Sequence, residues 1–188
     1  MKLILASRSE RRQKLLKELG YDFSVVHSRA DEAGHEVYYL DVPLLSAILK
    51  AREVSCRYPN SLVIGADTVI EFDGAVIGKP VDLTDARDVL SRLSGQSHHV
   101  VTGVCLLRQC DFMRCAFAVK TEVRFKKLTS TAIDEYLNNV HVLDKAGAYA
   151  IQEYGEMLVE SINGPLDNVV GLPCKKLAAA LRACRFTN

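Results

Sequence analysis

Residues 7–12 read SRSERR, two serines and three arginines placed directly after the apolar run LILA. If LILA is a buried strand and the arginines open a helix, their guanidinium groups crowd the end where the helix dipole is already positive. That is poor for stability and good for holding a polyanion, because backbone N–H groups, serine hydroxyls and forked guanidinium donors converge on one place. Further along, Asp67 follows the apolar run SLVIGA and precedes the β-type stretch TVIEF, so there is no helix for it to cap. A carboxylate at the exit of a buried strand suits a general base or a metal ligand, and a hydrogen-bonded turn aspartate reads the same way.

Five further residues have the same two-sided character. Lys79, in GKP, offers a point charge to phosphate from a rigid turn or is a solvated loop lysine. It does not belong to a P-loop, since Gly74 and Gly78 are separated by three residues, Pro80 stands at the Ser/Thr position and no helix follows. Lys50 lies mid-helix among apolar neighbours, where a lysine ordinarily snorkels to water. Asp31 and Glu32 form an acidic pair after the second expected strand, and Gln152, within AGAYAIQEYG, carries a planar amide able to read a base edge.

The elements that must position these groups follow from periodicity. LILA is a strand, RRQKLLKELG a helix with Leu15, Leu16 and Leu19 on one face and Gly20 at its end, and YDFSVV a second strand. This predicts a βαβ opening with the basic cluster at its turn. A helix is predicted over 43–58, entered at Pro43, with Leu44, Leu45, Ile48 and Val54 around its apolar side. SLVIGA reads as a buried central strand, and TVIEF and AVIG flank Asp73-Gly74 as a hairpin. TDARDVLSRLSG reads as a helix capped by Thr84, and TSTAIDEYLNN as one starting at Thr129 or Ser130. HHVVTGVCLLR and 112–125 read as long antiparallel strands, GEMLVESING as a strand, and KKLAAALRAC as a last helix after Pro173.

With 48% hydrophobic and 25% charged residues among 188, the chain has enough apolar material for a substantial core in one domain of two lobes. A formal net charge of +1, from 24 basic and 23 acidic residues, provides no overall field for a nucleic acid polymer or an anionic membrane. No stretch approaches the ~20 apolar residues of a membrane span, and the N-terminus begins a strand instead of a signal peptide, so a cytoplasmic protein is expected. The six cysteines form no C-x-x-C pair; reduced thiols, several of them buried, are expected. A zinc site from Cys105, Cys110 and Cys115 is disfavoured, because spacings of five along one strand put the middle thiol on the opposite face.

Taken together and in order, ASRSERR, Asp31-Glu32, Lys50, IGADTV, GKP, LSGQSHHVVTG, LDKAGAYAIQ and VVGLP resemble the Maf-like nucleotide pyrophosphatase family over nearly the whole chain. The resemblance implies a single domain over 1–188 with an α/β fold. In that fold a central mixed β-sheet is flanked by helices and two lobes surround a cleft, as in inosine triphosphate pyrophosphatases. It implies hydrolysis of a nucleoside triphosphate to the monophosphate and pyrophosphate, with a divalent metal, Mg²⁺ or else Mn²⁺. GADT and AYAIQ are similar to the branch acting on dTTP and UTP; the 7-methyl-GTP branch tends to carry serine-aspartate-glutamine at the first of these places. A purine-directed enzyme and a non-catalytic, nucleotide-binding regulator of cell division are the alternatives, and dimerisation is implied by the resemblance alone.

The roles implied by that resemblance are these. Asp67 is the proton acceptor and, with Glu32, a metal ligand. Arg11, Thr68 and Gln152 bear on substrate choice, and Ser7, Arg11, Arg12, Lys50 and Lys79 surround the triphosphate. Two positions depart from the family pattern: Glu10 replaces the usual proline of S-x-S-P-R-R, and Glu153 replaces the glycine that commonly follows the glutamine.

Overall fold

All four residues of strand β1 (Leu3–Ala6) are buried, as a strand with neighbours on both edges requires. It pairs in parallel with β2 (Ser24–Val25) and with β3 (Leu62–Phe72). This computed structural model describes residues 1–30, 41–110 and 112–186. Between β1 and β2 runs helix α1 (Glu10–Glu18), whose N-cap Ser9 accepts a hydrogen bond from the Arg12 N–H and whose fully buried Leu16 anchors it to the sheet. Burying that leucine contributes roughly 1.5–3 kcal/mol. Gly20, at φ +81°, lets the chain turn back while its N–H closes on the Lys17 carbonyl at 2.9 Å. The expected βαβ opening is present, with β2 cut to two exposed residues at the edge of the sheet.

The sheet is mixed, in the order β2-β1-β3-β5-β6-β7 with β4 (Ala75–Ile77) pairing antiparallel to β3. Strands β5 (Ser97–Arg108) and β6 (Met113–Phe125) are neighbours, and β7 (Val159–Asn163) pairs antiparallel to β6. SLVIGA and TVIEF are one unbroken strand, so Asp67 does not leave a strand as its sequence neighbourhood predicts. The parallel pairing with β1 stops at Gly65 and the antiparallel pairing with β4 starts at Ile70, so Asp67 lies between the two ladders.

The chain divides into two compact units. The first comprises residues 1–68, 102–119 and 171–188, and the second 69–101 and 120–170. The first is built on Leu3, Leu5, Leu16, Leu62, Ile64 and Leu177, with a separate layer of Ile4, Ala47, Ala51 and Val54 beneath helix α2 (Val42–Arg57). Here the apolar periodicity found Val54, and Ile48 packed against that layer, but put Leu45 on the buried face and missed its small residues. The buried side of α2 is Val42, Pro43, Ser46, Ala47, Ala51, Val54 and Ser55, and Leu45 is exposed. Helix α2 is too close to the sheet for leucines: a Cβ at Gly65 would lie 2.1 Å from the Ala47 carbonyl oxygen, and one at Gly103 2.4 Å from that of Pro43.

The second unit packs Ile70, Leu90, Leu93, Val123, Phe125, Tyr136 and Leu158 around helices α3 (Leu83–Leu93) and α4 (Ser130–Asn139). Thr129 caps α4 as expected, but α3 is capped by Asp82, whose carboxylate accepts from the Asp85 N–H, and not by Thr84. In GEMLVESING the first four residues form a helical turn, α5 (Gly155–Leu158), before β7. Helix α6 (Leu166–Val170) was not expected; α7 (Cys174–Ala183), in the first unit, was. Of the six cysteines only Cys105 is fully buried; Cys115 and Cys184 pack partly buried against the core of the first unit.

Candidate active site

The close approach of α2 to the sheet decides where Lys50 goes. Gly65 and Asp67 are two apart on β3 and face the same side, toward α2. Ala47 and Ala51 rest on Gly65, and Lys50 between them extends to Asp67 instead of running out to water. Its ammonium lies 2.7 Å from Asp67 Oδ1, with side-chain exposures of 13% and 11%. A lysine and a carboxylate held this way form a charge-assisted pair with little freedom.

Thr68, the next residue, faces the opposite side of the strand and meets Arg12 from the first turn of α1. The guanidinium is held on three nitrogens: Nε donates to the Gly171 carbonyl at 2.9 Å, Nη2 to Thr68 Oγ1 at 2.9 Å, and Nη1 to Ser7 Oγ at 3.4 Å. Ser7 is itself fixed, its hydroxyl oxygen accepting the Ser9 N–H at 3.2 Å. Thr68 Oγ1 lies 2.9 Å from Thr102 Oγ1 on β5. Gly171 has φ +122°, a conformation that favours glycine, and presents its carbonyl to Arg12 from there.

Of the residues expected at the site, the first unit thus brings Ser7 and Arg12 together with Thr68, and Lys50 with Asp67. Arg11 stands half-buried at the start of α1. Lys79, exposed after β4, and Gln152, exposed in the turn after Ala150, belong to the second unit. In that turn the Glu153 N–H donates to the Ala150 carbonyl at 3.1 Å, and the Glu153 carboxylate lies 3.7 Å from the buried Lys145 ammonium. Glu10 is exposed in the first turn of α1. Asp31 and Glu32 lie outside the described residues. Thr102 and Gly171 were missed as site residues, although VVTG and VVGLP drew attention to their segments; nothing in their residue types marked them.

Elsewhere in the second unit, His98 is buried with Nε2 2.8 Å from the Tyr149 hydroxyl, and it packs edge-on against Phe125. Burial, helped by the neighbouring His99, pushes the His98 pKa down to about 4. Burial also pushes the Tyr149 hydroxyl well above its ordinary range. Glu71 is pushed up by burial, but the Gly74 N–H, His99 and Lys120 outweigh this and hold it below the usual carboxylate range.

A divalent metal has to be tested against these donors. Among the described residues no group of three His, Cys, Asp or Glu side chains converges. The described donor set in the first unit is the single carboxylate of Asp67, which suits a hard cation that takes its other ligands from water and phosphate oxygens.

A mixed α/β sheet with helices packed on it thus carries a lysine–carboxylate pair at mid-strand and an arginine held at a strand-to-helix turn, groups of the kind that phosphate binding uses. The fold is shared with a solved Ham1 protein structure from Staphylococcus aureus, at a TM-score of 0.60 and 14% identity, covering 97% of this chain and 99% of that one. The chain matches the Maf-like protein family over residues 2–184 and belongs to it. It is 40% identical over 185 residues to the dTTP/UTP pyrophosphatase of Clostridioides difficile, covering 97% of this chain and 94% of the relative. With the dTTP/UTP pyrophosphatase of Symbiobacterium thermophilum it shares 44% over 180 residues, 95% of this chain and 92% of the relative. With that of Methanococcoides burtonii it shares 41% over 183 residues, 96% and 93% of the two chains.

Proposed function

We propose that this protein hydrolyses dTTP and UTP to the monophosphate and pyrophosphate, clearing the cytoplasmic nucleotide pool. The observation that carries the reading is the 2.7 Å pair between Lys50 of α2 and Asp67 of β3, the latter one residue from the Thr68 hydroxyl that Arg12 holds. Relatives near 40% identity named dTTP/UTP pyrophosphatase, aligned over nearly all of both chains, supply the substrate pair.

The chemistry follows from charge. Water attacks the α-phosphorus; the new O–P bond forms as the bond from the α-phosphorus to the α,β-bridging oxygen breaks, and pyrophosphate leaves with the electron pair. Asp67 takes the proton of the attacking water, with Lys50 orienting its carboxylate. Arg12, held by Ser7, Thr68 and Gly171, brings its positive charge to the phosphates and offsets the charge that builds on the leaving group. Arg11 adds positive charge beside Arg12; Lys79 and Gln152, in the second unit, carry the phosphate-binding and base-recognition roles that the family resemblance implies. Mg²⁺, or Mn²⁺, held by Asp67 and Glu32, would supply further neutralisation of the phosphates when bound.

Pyrophosphate release across dTTP, UTP, CTP, dATP, GTP and 7-methyl-GTP, with Mg²⁺ and with Mn²⁺, tests this. The expected result is fastest release from dTTP and UTP. Fastest release from 7-methyl-GTP would move the protein to the purine-directed alternative, and release from none would remove the enzymatic reading.

A further inference from the structure

Thr102 is fully buried on β5, carries no role in the chemistry above, and places its hydroxyl oxygen 2.9 Å from that of Thr68. A threonine hydroxyl has one proton to give and two lone pairs to receive with. Arginine only donates, so the 2.9 Å contact from Arg12 Nη2 occupies one lone pair of Thr68 Oγ1. What Thr68 does toward a ligand then depends on Thr102. If Thr102 accepts, the Thr68 proton is turned inward. If Thr102 donates, both lone pairs of Thr68 are filled and its proton points out, its donor strength raised by two incoming hydrogen bonds of which one is charge-assisted.

We infer that Thr102 is a positioning residue for substrate selection. Either hydroxyl can be the donor in this contact, and the inference is the arrangement in which Thr102 donates, which makes the hydroxyl of the part-buried Thr68 a donor for an acceptor oxygen of the bound nucleotide. The inference rests on the nucleotide-hydrolysis reading for the identity of that ligand. The acceptor is a carbonyl oxygen of the base or an oxygen of the phosphates. A base that presents an amino group at the pyrimidine 4-position, as cytosine does, meets a hydroxyl with no lone pair left, whereas thymine and uracil present a carbonyl there.

The test compares Thr102→Val, which keeps the shape and removes the hydroxyl, with Thr102→Ser, which keeps the hydroxyl. KM and kcat are measured for UTP, CTP and inorganic tripolyphosphate, Tm for each variant, and Kd for non-hydrolysable UTP and CTP analogues. The expected result for Thr102→Val is a rise in the UTP KM of about tenfold, the size of one net hydrogen bond, with a much smaller change in kcat. Thr102→Ser restores the wild-type value. A rise confined to UTP assigns the acceptor to the base carbonyl; an equal rise for UTP, CTP and tripolyphosphate assigns it to phosphate. Unchanged KM for all three substrates overturns the inference, as does a fall in kcat and Tm together that serine does not rescue. If the wild type releases no pyrophosphate yet binds the UTP analogue, and Thr102→Val weakens that binding, the hydrolysis reading falls and the role of Thr102 stands. A wild type that binds neither analogue overturns both.

Discussion

The Lys50 ammonium lies 2.7 Å from Asp67 Oδ1, on a helix pressed against its strand through Gly65 and Gly103. The Asp67 carboxylate is thus aimed by backbone contacts that a single methyl group would break. Lys50→Met, which preserves the stem and removes the charge, leaves that carboxylate without its partner. Activity should fall about 100-fold, the scale of losing one pre-organised electrostatic group. Stability should fall by about 1–3 kcal/mol, since the group left behind is partly shielded from water. Steady-state rates and a urea titration measure the two effects; full activity would show that Lys50 only tethers the helix.

Gly171→Ala adds a Cβ at a backbone φ of +122°, 3.4 Å from Arg12 Nε. The space is sufficient, so the cost is conformational, roughly 1–3 kcal/mol. Relieving that strain turns the carbonyl that receives Arg12 Nε, and the arginine loses that anchor. KM for dTTP should rise several-fold with a smaller effect on kcat. An unchanged KM together with lowered stability would leave Gly171 a purely structural glycine.

The buried His98 makes stability depend on pH in a definite direction. Its pKa is about 4 in the folded protein against an ordinary 6.5, so between these values the unfolded chain binds the extra proton. The contribution is fully present above pH 6.5 and is lost as pH falls toward 4, by about 3 kcal/mol at the low end. Denaturant unfolding of wild type and His98→Asn at pH 7.5 and 4.5 checks it: the wild type should lose more stability over that interval than the variant. Equal losses would assign the acid sensitivity to other groups.

Glu10 takes the place of the family's proline and is exposed on the first turn of α1, where a carboxylate suits the helix dipole. Glu10→Pro, a residue tolerated at that position, should leave KM for dTTP and UTP unchanged at low and high salt. A several-fold fall in KM that shrinks as salt rises would show that the carboxylate repels the triphosphate.

Much of the fold could be read from the residues because local and global signals agree. The LILA strand, the helix through RRQKLLKELG, the Asp73-Gly74 turn and the Thr129 cap depend on near neighbours and are present as read. Helix α2 was misread because its buried face is chosen by two glycines on distant strands, and leucine periodicity carries no record of them. Asp67 was placed at a strand end because a charge after an apolar run looks like one. It stays within the strand, where Lys50 answers its charge. At the site, residues with charged or forked groups stood out by type. Thr102 and the Gly171 carbonyl did not, because a hydroxyl and a backbone oxygen acquire roles only from what the fold sets beside them.

Hydrolysis in water labelled with heavy oxygen shows whether Asp67 assists water in attacking the α-phosphorus. With dTTP or UTP and Mg²⁺, the wild type should place the label in the monophosphate and leave the pyrophosphate unlabelled. Asp67→Asn should remain folded and lose activity by ~100-fold to 10,000-fold, the range for a missing general base. Label in the pyrophosphate, or near-wild-type turnover by Asp67→Asn at saturating Mg²⁺, would contradict the account.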